Sequence, residues 1–105
     1  MVDQSTIAEV AKLLHRAAPG SKVILFGSHA RGHAGPDSDL DFLVVEPQVR
    51  DRRHEMVRLR DVVRTLRVPV DVLVVSEDAF DEWADTPGTV YYEACHEGRV
   101  MHAGA

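Results

Sequence analysis

The sequence predicts one α/β (α+β) domain, residues 1–105, in which a small mixed sheet of three to four strands is flanked by helices. Three short apolar runs, at residues 23–26, 42–45 and 70–75, have the length of buried strands. Segments with apolar residues at helical spacing lie before, between and after these runs. A chain of 105 residues can bury one hydrophobic core without a disulfide, and its single cysteine excludes an internal one.

The first predicted element is an amphipathic helix over residues 3–18. Either Asp3 or Ser5 can cap its start, and Pro19-Gly20 ends it. Its apolar residues recur at helical spacing and are Ile7, Val10, Ala11, Leu14 and Ala18. We therefore expect this helix to pack one face against the core.

A turn follows the first predicted strand, residues 23–26. Gly27 allows a phosphate to approach the main chain closely, and Ser28 can cap a short helix over residues 28–31 while offering N–H and hydroxyl donors. Arg31 adds a charged fork for the same phosphate oxygens. The alternative is a simple strand-ending turn with Arg31 as a surface residue. We interpret Gly27, Ser28 and Arg31 as nucleotide-binding residues.

Asp39 and Asp41 start the second strand after a glycine-containing loop, residues 32–38. Because side chains alternate along a strand, both carboxylates face the same way, roughly 7 Å apart. Two like charges this close destabilise the fold unless a cation lies between them. Hard oxygen ligands beside phosphate oxygens suit Mg²⁺. The alternative is a strand that begins in solvated acids; we interpret the pair as metal ligands.

A crossover helix over residues 49–67 is predicted next. Its apolar stripe consists of Met56, Leu59, Val63 and Leu66. A helical crossover joins parallel strands, so the third strand, residues 70–75, should run parallel to the second. The first strand ends where the second begins, which favours an antiparallel pair. The sheet is therefore expected to be mixed.

Asp71 stands near the start of the third apolar strand, where a lone acid needs a partner. If the third strand lies beside the second, Asp71 joins Asp39 and Asp41. Three carboxylates can hold two metal ions, the arrangement used for in-line phosphoryl or nucleotidyl transfer. The alternative is an edge-strand carboxylate in contact with water. We interpret Asp71 as a metal ligand or a general base.

Two further helices are predicted towards the C-terminus. Ser76 can cap a short helix whose inward-facing residues are Phe80, Trp83 and Ala84. Thr86-Pro87 has the pattern of an N-cap followed by proline at the first helical position. Gly98 would end this second helix, whose buried face consists of Val90, Tyr91 and Ala94. Cys95 is expected to be a small buried side chain.

The charge balance bears on partners and location. A formal net charge of −5 argues against a protein that coats nucleic acid, because such binding needs a basic surface, and no stable nucleic-acid binding is expected. Residues 50–67 hold seven arginines and three acids, whereas residues 77–97 hold seven acids and no Lys or Arg. This asymmetry could orient a partner, although a solvated face explains it as well. Neither a signal start nor a membrane-length apolar run occurs, so a cytoplasmic protein is expected.

The motifs described above resemble a known family. Gly27-Ser28, ten intervening residues and then Asp39-x-Asp41, with Asp71 on a later strand, resemble the DNA polymerase β-type nucleotidyltransferases. More narrowly, GSHARG and DSDLDF, with the closing HEGRVMHA, are similar to the minimal nucleotidyltransferases, which include antitoxins of HEPN/minimal-nucleotidyltransferase pairs. The resemblance covers most of the chain and implies a polymerase β-like nucleotidyltransferase fold.

The resemblance implies an enzyme that transfers AMP from ATP to a hydroxyl with Mg²⁺, two ions being expected. Gly27 and Ser28 would hold the β- and γ-phosphates. Asp39 and Asp41 would hold the ions, and Asp71 would ligate one ion and help deprotonate the acceptor. The acceptor that it implies is a tyrosine of a HEPN ribonuclease toxin. Two alternatives stay open: a non-catalytic antitoxin that neutralises its partner sterically, and transfer to a small molecule.

Overall fold

A four-stranded mixed sheet lies at the centre of the protein, whose computed structural model describes residues 3–35 and 37–103. Along the chain the elements are α1 (Gln4–Ala17), β1 (Lys22–Phe26), α2 (Ser28–Arg31), β2 (Leu40–Glu46), α3 (Arg52–Val63), a 3-10 turn (Arg64–Leu66), β3 (Val70–Ser76), α4 (Glu77–Trp83), α5 (Val90–Glu97) and β4 (Arg99–Ala103). The predicted class and strand number are confirmed. Pro36 of the predicted loop 32–38 lies outside the described residues, as do the chain ends, so a single domain over residues 1–105 stays a prediction.

The strands pair in the directions that the sequence predicted, in the order β3-β2-β1-β4. β1 is antiparallel to β2, with Phe26 opposite Asp41, and β2 is parallel to β3, with Asp41 opposite Asp71. β4 pairs antiparallel with the other edge of β1. β4 was not predicted, because this strand has no buried apolar run and its Val100 is exposed. It forms by pairing with backbone groups that β1 would otherwise leave unpaired.

Helices cover both faces of the sheet. On one face α1 packs against β1 and α3 packs against β3, around a core cluster that includes Val23 and Leu25 of β1. On the other face α5 packs against β1 and α4 packs against β2 and β3, around a core cluster that includes Ile24 and Phe26 of β1. Since successive strand residues point to opposite faces, this double cover explains why the strands appear in the sequence as continuous apolar runs. In the part of the chain that the structure describes, no helix has the length and apolar character needed to cross a membrane.

Capping side chains set the starts of helices α1, α3 and α4. Asp3 caps α1, because its carboxylate accepts a hydrogen bond from the Thr6 N–H at 2.9 Å. Ser76 caps α4 in the same way, as predicted. α3 is shorter than the predicted range 49–67: Asp51 caps it, and a 3-10 turn replaces its last turn. The capping residue therefore sets the start of α3, which the apolar stripe alone does not define.

Three predictions near the C-terminus are wrong. Thr89, and not Thr86, caps α5, and its hydroxyl accepts a backbone N–H at 3.1 Å. Thr86 instead closes the end of α4, donating its N–H to the carbonyl of Trp83 at 3.0 Å. The Trp83 side chain, expected to face inward, is 44% exposed. Cys95 is exposed as well, because its neighbour Ala94 occupies the buried face of α5 and adjacent helical positions point in different directions.

Glu46, the last residue of β2, shares a proton with Glu55 of α3. Burial, followed by a hydrogen bond with Glu55, raises the pKa of Glu46 to about 7. The Arg58 guanidinium holds the pKa of Glu55 at about 2, so the proton belongs to Glu46. Two ionised carboxylates cannot donate to each other, and within the described residues the buried Oε2 of Glu46 has no hydrogen-bond partner. Ionisation of Glu46 should therefore destabilise the fold.

Glu46→Gln should make the stability less dependent on pH. The pKa of Glu46 rises from 4.5 to about 7 on folding, so its protonated form stabilises the native state fully below 4.5, and this stabilisation is lost as the pH rises through 7. The free energy of unfolding should therefore fall by about 1 kcal/mol between mildly acidic and mildly alkaline buffer, allowing for solvent screening. Urea unfolding at both pH values measures this fall, which should vanish in Glu46→Gln. Glu9→Gln, exposed on α1, is the control; a fall that persists in Glu46→Gln would contradict the shared proton.

Candidate active site

Gly27, Asp41 and Asp71 lie side by side at one end of the sheet. Phe26, the last residue of β1, pairs with Asp41, and Asp41 pairs with Asp71. Because residues in register on neighbouring strands share a face, the Asp41 and Asp71 side chains project as neighbours. Asp39 immediately precedes β2. The structure thus brings the three acids that the sequence analysis selected next to the turn at Gly27.

The turn at Gly27 requires glycine for two reasons. Its φ of 77° and ψ of −159° define a backbone conformation that is essentially restricted to glycine. A Cβ built on Gly27 would collide with the Asp41 carboxylate and would lie 3.1 Å from Asp41 Cγ. Gly27 is also the N-cap residue of α2, so the predicted cap at Ser28 is wrong, and Ser28 is the first residue of the helix. The main chain therefore runs directly against Asp41.

Gly27→Ala should lower the free energy of unfolding by about 2 to 4 kcal/mol, because backbone strain and the collision with Asp41 act together. Gly32→Ala is the matched control. Gly32 also has a positive φ, 75°, but nothing lies within 4 Å of a Cβ built there. This control should lose only about 1 kcal/mol. Equilibrium unfolding in urea measures both losses, and equal losses would show that Asp41 does not press against the turn.

The Asp41 carboxyl is partly buried and surrounded by acids. Burial raises the pKa of Asp41 above its usual value, and the carboxylates of Asp71, Asp39 and Glu93 raise it further, in that order. The His29 imidazole lowers it. Each nearby carboxylate makes a negative charge at Asp41 less favourable. A cation bound here would relieve this accumulated repulsion.

The donor chemistry at these acids fits a divalent cation through Asp39 and Asp41. Their hard oxygens suit Mg²⁺, which takes one or two protein carboxylates together with water and phosphate oxygens. Asp71 already has a partner, since Arg60 Nη2 donates to Asp71 Oδ1 at 2.9 Å. Over residues 3–35 and 37–103, no three His, Cys, Asp or Glu side chains form a group that could hold a metal ion. Asp39 and Asp41 would therefore hold the cation, and Asp71 could join them through its other oxygen, Oδ2.

Glu93 of α5 contacts two of the predicted nucleotide-binding residues. The Gly27 N–H donates to Glu93 Oε2 at 3.1 Å. Arg31 Nη1 donates to the same oxygen, also at 3.1 Å. No local sequence pattern predicts a role for Glu93, because these partners precede it by 66 and 62 residues. The turn is thus closed by a side chain from the far end of the chain.

Solved structures with a similar fold include toxin–antitoxin complexes. A toxin-antitoxin with AMP-PNP has a TM-score of 0.61 at 20% identity, over 90% of this chain and 71% of that chain. A mutant of the toxin-antitoxin MntA-HpeT has a TM-score of 0.61 at 20% identity, over 97% of this chain and 74% of that chain. A tri-AMPylated HEPN toxin of Shewanella oneidensis in complex with MNT antitoxin has a TM-score of 0.56 at 18% identity, over 90% of this chain and 67% of that chain. These likenesses show a shared fold and confirm the predicted fold class.

A family model identifies the chain more directly. No curated protein matches this chain significantly. The model of the nucleotidyltransferase domain matches residues 7–89, from the first turns of α1 to the cap of α5. The matched range is most of the chain and contains Gly27, Asp39, Asp41 and Asp71, the residues on which the resemblance was based. The chain therefore belongs to the nucleotidyltransferase domain family.

Proposed function

We propose that this chain uses Mg²⁺ to transfer AMP from ATP to a hydroxyl, that the acceptor is a tyrosine of a partner HEPN ribonuclease toxin, and that the chain acts in the cytoplasm as the antitoxin. The alignment of Gly27, Asp41 and Asp71 across three neighbouring strands carries this proposal. With the turn and the acids at one end of the sheet, a phosphate, a cation and an attacking hydroxyl could all be bound close together, and this supports the proposal. The nucleotide and the partner are supported by similar structures, which include AMP-PNP and a tri-AMPylated HEPN toxin.

The turn and the acid pair bind and orient the nucleotide in this proposal. Gly27, which has no side chain, lets the β- and γ-phosphates approach the main chain closely, and Ser28 offers its N–H and hydroxyl to them. Arg31 supplies a guanidinium fork for the same oxygens. Asp39 and Asp41 hold Mg²⁺, which neutralises phosphate charge when it is bound. In this proposal the α-phosphate lies near Asp71, at the start of β3.

Asp71 accepts the proton of the attacking hydroxyl. Its side chain is 48% exposed, so an acceptor can approach it from solvent. The acceptor oxygen forms a bond to the α-phosphorus, the bond from this phosphorus to the pyrophosphate oxygen breaks, and the hydroxyl proton passes to the Asp71 carboxylate. Arg60 binds Oδ1 of this carboxylate in the free protein, so the proton passes to Oδ2.

A non-catalytic antitoxin is the second candidate function, and contacts within the site favour it. Asp71 is bound by Arg60, while Gly27 and Arg31 share the Glu93 carboxylate. A protein that neutralises its partner by steric contact could keep these internal pairs permanently. Transfer to a small molecule has no comparable observation in its favour.

Co-expression with the candidate HEPN toxin separates these functions. The intact mass of the co-purified toxin should increase by one or more AMP moieties, and its ribonuclease activity should be lost. Co-expression with the chain carrying Asp39→Asn and Asp41→Asn is the control and should leave the toxin mass unchanged. An unmodified toxin held inactive in a tight complex with the wild-type chain would contradict the enzymatic proposal and favour the binding module.

A further inference from the structure

The Glu93 carboxylate occupies an anion position at the turn. A single oxygen, Oε2, accepts hydrogen bonds from the Gly27 N–H and from the Arg31 guanidinium, each at 3.1 Å. A backbone N–H and a guanidinium are donors that proteins use to bind phosphate oxygens. For Gly27 and Arg31, the Glu93 carboxylate is thus a hydrogen-bond acceptor of the same kind as a phosphate oxygen.

The packing of α5 holds Glu93 over the turn. Ala94 is buried, and Gly98 lies so close to β1 that a Cβ built on it would be 2.7 Å from the Ile24 side chain. Thr89 caps the other end of the helix. The helix is therefore fixed against the sheet, whereas the Glu93 side chain is 34% exposed. Rotation about its own side-chain bonds can take the carboxylate into solvent without moving α5.

The charges around Glu93 make its exchange for another anion favourable. Its ion pair with Arg31 is partly exposed on both sides, so the pair contributes little to stability. Glu93 is also one of the carboxylates that raise the pKa of Asp41, so the two negative charges repel each other. A phosphate bound together with a cation would satisfy the same donors and leave none of them unpaired. Departure of Glu93 then relieves the repulsion at Asp41.

We propose that Glu93 is an internal competitor of the nucleotide triphosphate, which pairs with the Gly27 N–H and Arg31 in the free protein and is displaced when a phosphate group binds. This inference rests on the proposed function, because it takes Gly27 and Arg31 to be nucleotide-binding residues. It implies that Glu93 lowers the affinity for ligands that carry phosphate groups. Adenosine, which carries none, does not have to displace the carboxylate.

Glu93→Gln tests the competition, because glutamine keeps the size of the side chain and removes its charge. Isothermal titration calorimetry should show that MgATP binds this variant about 3- to 10-fold more tightly than wild type, as expected for the loss of one partly exposed charged competitor. The affinity for adenosine should not change. Glu97→Gln, exposed four residues later on α5, is the matched control and should bind MgATP like wild type.

A second measurement follows the wild-type protein and does not depend on the stability of the variant. The ¹³C NMR signal of the Glu93 carboxyl should shift when MgATP is added and should not shift when adenosine is added. A signal that stays in place while MgATP binds would exclude displacement and overturn the inference.

The binding results also separate this inference from the proposed function. Equal MgATP affinity of Glu93→Gln and wild type would overturn the competition and leave the proposed function intact. Weaker binding by the variant would overturn it as well and would make Glu93 a ligand of the nucleotide or of its cation. Failure of wild type and both variants to bind MgATP would contradict the proposed function itself, and the inference would fail with it.

Discussion

Replacing Asp39 and Asp41 together with asparagine should abolish nucleotidyl transfer without unfolding the protein. Asparagine keeps the size of each side chain and removes the charge that would ligate the cation. Transfer should fall by at least about 10³-fold, because a bound cation stabilises the transition-state charge by several kcal/mol. Single-turnover transfer from labelled ATP to the partner measures this loss. Asp37→Asn, an exposed acid of the same loop, is the matched control and should transfer at the wild-type rate.

The free double variant should melt no lower than wild type. Burial and the neighbouring acids raise the pKa of Asp41 above its ordinary value of 3.8, so its ionisation costs stability when no cation is bound. This cost is absent below the ordinary value and appears as the pH rises through the raised one. Relative to wild type, the variant should therefore be more stable at neutral pH than in acid. A large loss of melting temperature at neutral pH would show that the pair is structural, which would contradict the interpretation as metal ligands.

Asp71→Asn should separate transfer from nucleotide binding. The acid pair Asp39 and Asp41 and the turn at Gly27 remain in this variant, so MgATP should bind with nearly wild-type affinity. Transfer should nevertheless fall by roughly 10²- to 10⁴-fold, the usual contribution of a positioned general base. Calorimetry and single-turnover transfer should be measured on the same preparation. Loss of MgATP binding in proportion to transfer would instead make Asp71 a primary ligand of the cation.

The ion pair between Arg60 and Asp71 supplies a matched control for this experiment. Asp71→Asn also breaks the pair, but its side chains are 44% and 48% exposed, so the loss should cost little stability. Arg60→Gln breaks the same pair and keeps the carboxylate. Its transfer rate should equal or exceed that of wild type, because both oxygens of the Asp71 carboxylate are then available to the acceptor. Wild-type transfer by Asp71→Asn would reduce Asp71 to an acid at the strand edge.

The sheet was predictable because its signals are local. The strands β1, β2 and β3 are covered on both faces, so each appears as a short continuous apolar run. The helical crossover between β2 and β3 predicts their parallel direction, which the structure confirms. Each of these two strands has an acid at or near its start, and parallel pairing in register then places Asp41 beside Asp71. The proximity of Asp41 and Asp71 could therefore be predicted from the order and direction of the strands.

Helix boundaries and the edge strand were less predictable, because several residues offer the same chemistry. Thr86 and Thr89 can each cap a helix, and the proline after Thr86 favours the first of them. Thr86 is used instead to close α4, which leaves Thr89 to start α5. β4 has only a weak apolar pattern, and its pairing with β1 involves backbone groups that no side-chain pattern records.

The sequence by itself determined β1, β2 and β3, their directions and the residue types suited to binding phosphate and metal. Only the tertiary structure decided which partners those residues have in the free protein. Arg60 of α3 binds Asp71, and Glu93 of α5 binds the turn at Gly27. The physical reason is that buried apolar side chains set where α3 and α5 pack on the sheet, and their exposed polar residues are carried to positions that depend on this packing. Helical periodicity marks those residues as exposed, but it contains no information about the distant group that each one meets.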